Sequence, residues 1–139
     1  MIQTPDFRAL ALVFEGAQLR VDFQSDATSY YILYRGIQVD YINQAVGMAL
    51  GVGPSDSIVA PAGSDPSGFF RLRRVAIGNP ADTDGDGIDD VSELSCVLLD
   101  PLNTLDAFLD SDQDGKSNLD EVLSGSDPCL PDVFGNLAP

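Results

Sequence analysis

An acidic loop occurs twice in this chain, and nothing else in the sequence constrains the fold as tightly. The copies are Asp82-Thr83-Asp84-Gly85-Asp86-Gly87 running on to Glu93, and Asp110-Ser111-Asp112-Gln113-Asp114-Gly115 running on to Glu121. Each reads Asp-x-Asp-x-Asp-Gly, then five residues, then Glu. Side-chain oxygens at positions one, three and five can curl around one cation, with the glycine at six making the sharp turn. A backbone carbonyl at seven and both oxygens of the glutamate at twelve close the shell, which is the spacing of a twelve-residue calcium loop. The expected ligands are Asp82, Asp84, Asp86, Asp90, Glu93 and the carbonyl of Ile88 for one ion. For a second ion they are Asp110, Asp112, Asp114, Asn118, Glu121 and the carbonyl of Lys116. Loop one offers five carboxylates at these positions and loop two offers four, so loop one is expected to bind more tightly.

Charge separates the two halves of the chain. Residues 1–74 hold six arginines against seven acids, whereas residues 75–139 hold fifteen acids against Lys116 alone, giving net charges of -1 and -14. Two divalent cations would reduce the second figure to -10, so without them this half is expected to loosen. The acidity argues against nucleic acid and anionic membranes as partners, because phosphate recognition needs basic patches. No stretch is long and apolar enough to insert in a membrane. The chain contains no His, which removes the commonest general base and zinc ligand and any Ser-His-Asp catalysis. The expectation is a protein that is not an enzyme.

The two cysteines, Cys96 and Cys129, follow loops one and two. Their spacing does not suit zinc, and a disulfide is the simplest reading, with two buried free thiols as the alternative. It would close roughly 34 residues, for about 3–4 kcal/mol in the chain-entropy model. A disulfide beside calcium loops points to an oxidising, calcium-rich compartment. Met1 to Asp6 lacks the basic start and apolar run of a secretion signal, so the chain reads as a mature or excised piece of a secreted protein.

The first half alternates. In Gln18 to Gln24 the apolar residues 19, 21 and 23 face one way, as in a half-buried strand. Further strands are expected over residues 8–14, 30–35, 43–50, 55–60 and 69–75, with another alternation at Ile37, Val39 and Tyr41. Residues 61–68 read as a loop. Gly78-Asn79-Pro80-Ala81 marks a change of period and charge. Beyond it, Val91, Leu94, Val97 and Leu98 make a helical stripe ended by Pro101. Asn103 is placed to cap a short helix carrying Leu105, Phe108 and Leu109. Leu119, Val122 and Leu123 give a last apolar face. The expected architecture is mainly β with a small α and loop part. It consists of an antiparallel β-sandwich of six or seven strands over 1–77, then a tandem EF-hand-like calcium-loop module over 78–139 with short helices and the disulfide.

The stretches Asp82–Leu94 and Asp110–Pro128 resemble the calcium-binding repeats of secreted bacterial proteins, which are related to thrombospondin type 3 repeats and more distantly to dockerins and EF-hands. Ser67–Val75 resembles the last strand of a small sandwich domain that often precedes such repeats in bacterial surface proteins. The resemblance implies an extracellular, calcium-stabilised, non-catalytic module. The chain departs from the EF-hand pattern at loop position eight, which is Asp89 and Ser117 instead of an aliphatic residue, and no helix enters loop one.

The expected function is structural: a calcium-binding building block of a cell surface or filament, or an adhesive module, whose partners are further copies of itself or another surface protein. The tail at 133–139 is one segment on which neighbouring copies could pack. The alternative is a carbohydrate-binding or dockerin-like accessory module of a secreted hydrolase, with Tyr30, Tyr31, Tyr34 and Tyr41 as a sugar platform. For those tyrosines the plainer reading is strand core and edge. For Arg71, Arg73 and Arg74 it is a strand face or pairing with the acidic module, before an anion site. For Asp127 and Asp132 it is turn formation beside proline, before a cation of their own.

Overall fold

The computed structural model describes residues 2–3, 9–61 and 68–132. The chain divides into two compact units, Met1–Pro80 and Ala81–Pro139.

The first unit is built of strands β1 (Ile2–Gln3), β2 (Ala9–Glu15), β3 (Gln18–Gln24), β4 (Ser29–Gly36), β5 (Gln44–Leu50), β6 (Ser55–Pro61) and β7 (Phe69–Ala76). They form two sheets, ordered β1-β7-β4-β5 and β2-β3-β6. The hairpin between β2 and β3 turns on two residues, with Glu15 opposite Gln18 and Gly16 at φ 65°, the left-handed conformation such tight turns need. In β3 the alternation is realised: Leu19, Val21 and Phe23 are buried, and Arg20 on the opposite face bridges Glu15 and Asp22. Those three apolar residues join Ile58 and Ala60 of β6 with Tyr31, Leu33, Phe70 and Leu72 of the other sheet in one core, so the two sheets share a single interior. β4 is buried on both faces from Ser29 to Tyr34, which explains its nearly unbroken apolar run.

Two expectations need correction here. The pairing is not wholly antiparallel, because β1 runs parallel to β7, with Ile2 opposite Phe70. The alternation at Ile37, Val39 and Tyr41 is not a strand: all three are exposed, and the segment doubles back through a bridge between Gln38 and Tyr41. The return is tight against Gly36, where a β-carbon would lie 2.0 Å from the Tyr41 carbonyl oxygen. The expected loop at 61–68 falls largely outside the described residues, as does the tail at 133–139.

The second unit has little regular structure: helix α1 (Asp90–Leu94), a 3₁₀ turn at Asp106–Phe108, and helix α2 (Asn118–Ser124). Its apolar core is Ile88, Cys96, Leu99 and Ala107, with Leu119, Val122 and Cys129 packed against it. The disulfide Cys96–Cys129 is formed, with 5.6 Å between the α-carbons. The helical stripe beyond loop one is shorter than its pattern suggests. α1 ends at Leu94, Leu99 turns back onto the Cys96 carbonyl, and Val97 is 96% exposed. Pro101 further on disfavours helix in the residue before it. Asn103 caps no helix; its Oδ1 accepts the Leu105 N–H and starts the 3₁₀ turn.

Candidate metal centre

The two loops share one backbone scaffold. In each, the N–H at position nine donates to the carbonyl just before position one: Asp90 to Ala81 at 2.8 Å, and Asn118 to Leu109 at 2.7 Å. The carboxylate at position one gathers the turn. Asp82 accepts from the N–H groups of Gly85, Asp86 and Gly87, and Asp110 from those of Asp114 and Gly115. Gly87 and Gly115 have φ of 99° and 98°, a conformation that strains any residue with a β-carbon. At position four, Gly85 (φ 77°) and Gln113 (φ 63°) also take the left-handed form. Position eight, the departure noted in the sequence, serves the helices. Asp89 accepts the Ser92 N–H at the start of α1, and Ser117 accepts that of Asp120 at the start of α2.

On this scaffold the carboxylates converge. Asp82, Asp84 and Asp86 place ligand oxygens within 4.8 Å of one another, and so do Asp110, Asp112 and Asp114. A second triple in each loop brings in the glutamate at twelve: Asp86, Glu93 and Asp106 in the first, Asp114, Glu121 and Asp132 in the second. These clusters could hold a metal ion. Glu93 and Glu121 are fully buried, and neither oxygen of either carboxylate has a hydrogen-bond partner. One oxygen on each of Asp84, Asp86, Asp106 and Asp112 is likewise buried and without a partner. A buried carboxylate costs on the order of several kcal/mol unless a charge or donor answers it.

The electrostatics carry the same strain. Burial, then the charges of Asp84, Asp86, Asp106 and Asp90, push Glu93 up to about 9. Burial, then Asp112 and Asp114, push Glu121 up to about 7. Asp84 is raised to about 7 by burial and then by its neighbour Asp86. Burial also raises Asp106 and Asp112. In the ion-free state Glu93, Glu121 and Asp84 therefore hold protons that ordinary carboxyls release.

The residues at position nine brace their loops. Both Asp90 oxygens accept from Thr83, one from its N–H at 2.8 Å and one from its hydroxyl at 2.6 Å. Asn118 makes the matching brace in loop two, accepting the Ser111 N–H and donating to Ser111 Oγ. The structure thus assembles Asp82, Asp84, Asp86 and Glu93, and Asp110, Asp112, Asp114 and Glu121, in overlapping clusters; Asp90 joins none of these carboxylate clusters, and Asn118 braces Ser111. At position seven, Ile88 buries its side chain in the core and Lys116 reaches Asp132 at 2.8 Å.

Two contributors do not follow from the loop pattern. Asp106 belongs to the turn between the repeats, and Asp132 lies beyond the disulfide. Asp127, by contrast, is a turn former, its Oδ1 accepting the Cys129 N–H. The donor set is oxygen alone, since both cysteines are in the disulfide and the chain has no His. Such a set suits hard cations.

In the first unit Tyr30, Tyr31 and Tyr34 are buried, and Tyr41 alone of the four is exposed. Arg71 lies over the Tyr34 ring at 4.9 Å, and Arg74 is 3.9 Å from Asp26. No helix among the described residues is long and apolar enough to cross a membrane. Comparison with known proteins returns no matching family model, no matching curated protein and no matching solved structure.

Proposed function

We propose that this chain is a non-enzymatic, extracellular structural protein in which two calcium ions organise an EF-hand-like module that follows a β-sandwich in the sequence. The observation that carries the reading is the pair of buried glutamates, Glu93 and Glu121, whose oxygens meet other carboxylates and no donor. Only a cation relieves such a centre without protonating it. The carbonyls of Ile88 and Lys116 complete the two shells. The apolar core of this unit is small, so calcium and the disulfide supply much of its stability. The disulfide is compatible with a secreted setting.

Self-assembly or adhesion is the role of the module. Leu105, Phe108, Leu123 and Leu130 are each more than 60% exposed in this unit, apolar side chains available to another copy or another surface protein. A tyrosine sugar platform is disfavoured by the burial of three of its four members. Light scattering in excess calcium and after chelation tests the proposal. A large mass that collapses on chelation supports assembly. A chain that takes up no calcium in calorimetry overturns the reading altogether.

A further inference from the structure

We propose that Asp106 is a ligand of the loop-one cation, so that the first site is closed by a residue borrowed from the approach to the second loop. This rests on the calcium reading above and adds to it a residue outside the twelve-residue pattern. Asp106 is 4% exposed, and its two oxygens have different surroundings. Oδ2 accepts the Asp100 N–H at 2.7 Å, which fixes the side chain, whereas Oδ1 is buried and has no partner. A ligand oxygen of Asp106 lies within 4.8 Å of ligand oxygens of Asp86 and Glu93. A buried carboxylate held at one oxygen and unanswered at the other, facing a fully buried glutamate, is the arrangement a divalent ion requires.

The position that the loop pattern reserves for this purpose is occupied otherwise. Both Asp90 oxygens accept from Thr83 and Asp90 joins none of the carboxylate clusters, whereas Asp106 joins Asp86 and Glu93. The backbone of Asp106 is set by the second repeat: Asn118 Nδ2 donates to its carbonyl at 2.7 Å, a buried bond. Loop two thereby positions a ligand of loop one. The second loop has a weaker counterpart. Asp132 also reaches the Asp114 and Glu121 cluster, but Lys116 already pairs with its Oδ2.

The test is calcium titration calorimetry on the full chain and on Asp106→Asn, with melting followed in calcium and in chelator. Asparagine keeps an acceptor for the Asp100 N–H and removes the charge facing Glu93. The expected result is a loss of tenfold or more in affinity at the tighter site, with the weaker site unchanged. Melting in chelator should be unchanged or higher, since a buried charge has gone, while the rise produced by calcium shrinks. Wild-type affinities in Asp106→Asn would overturn the inference alone. Equal lowering of melting with and without calcium would also overturn it, reducing Asp106 to a brace. A wild-type chain that binds no calcium would overturn the reading of both loops instead.

Discussion

The two acidic loops are closely alike in their bonding and unlike in what surrounds their carboxylate clusters. Both close position nine onto the carbonyl before position one, both tie position nine to position two, and both cap a helix from position eight. Around that frame, loop one turns Ile88 into the core and receives Asp106, with an unpartnered oxygen. Loop two carries Lys116 at the matching place and receives Asp132, already paired with that lysine. Loop one is therefore the drier and more negative centre, and Glu93 stands higher than Glu121, at about 9 against about 7. The frame sets where the oxygens go; the residues outside the motif set how strongly they need a cation.

The bluntest way to probe this contrast is to remove both ions. At a calcium concentration a thousandfold above its dissociation constant, one site stabilises by about 4 kcal/mol, so chelation should lower the melting of the acidic unit by many degrees. Calorimetry that shows no dependence on calcium would remove the comparison's premise. Opening the covalent ring with Cys96→Ser together with Cys129→Ser should cost about 3–4 kcal/mol, read by denaturant unfolding, and should loosen loop two more than loop one because only loop two lies inside the ring.

Glu93→Gln and Glu121→Gln sharpen the comparison directly. Each should weaken calcium at its own loop by about tenfold or more, and each should raise melting in chelator, with Glu93→Gln giving the larger rise. Equal effects from the two would erase the difference between the loops.

Acidity offers a gentler test. Glu93, Glu121 and Asp84 have folded values above their ordinary ones, so the folded ion-free unit retains protons that the unfolded chain releases. Their contribution is fully present below the ordinary carboxyl range and is lost as pH rises, to about 7 for Glu121 and Asp84 and about 9 for Glu93. Melting in chelator should fall from about pH 5 to about pH 9, and calcium, which binds the charged form, should stabilise more as pH rises. A flat profile in chelator would contradict the buried, unanswered carboxylates. Smallest of all, Asp90→Asn should change calcium affinity and stability by less than about 1 kcal/mol, because Asn118 already makes the equivalent brace in loop two.

Much of this was legible in the chain because it depends on local spacing. Positions one, three, five and twelve of the loops declare themselves by separation, and Leu19, Val21 and Phe23 by alternation. The two cysteines left one pairing to consider. Position nine is ambiguous in sequence because a carboxylate or amide there serves equally as a ligand or as a brace, and the bonds to Thr83 and Ser111 come only from the folded loop. Asp106 was hidden for another reason. It reaches its cluster by tertiary folding, and it and Asp132 stand at unequal distances past Glu93 and Glu121, so no repeat exposes them. The turn at Ile37–Tyr41 kept a strand's alternation without a strand's neighbours.

The ring closed by Cys96 and Cys129 also fixes a route for mechanical load. Tension drawn between Ala81 and Asp132 passes through loop one and α1 to Cys96, crosses the sulfur bridge, and leaves beyond Cys129. Loop two hangs off that route, shielded from pulling however hard the ends are drawn. Loop one stands in series with it, outside the shielded ring, so tension on this unit reaches loop one before it can reach loop two.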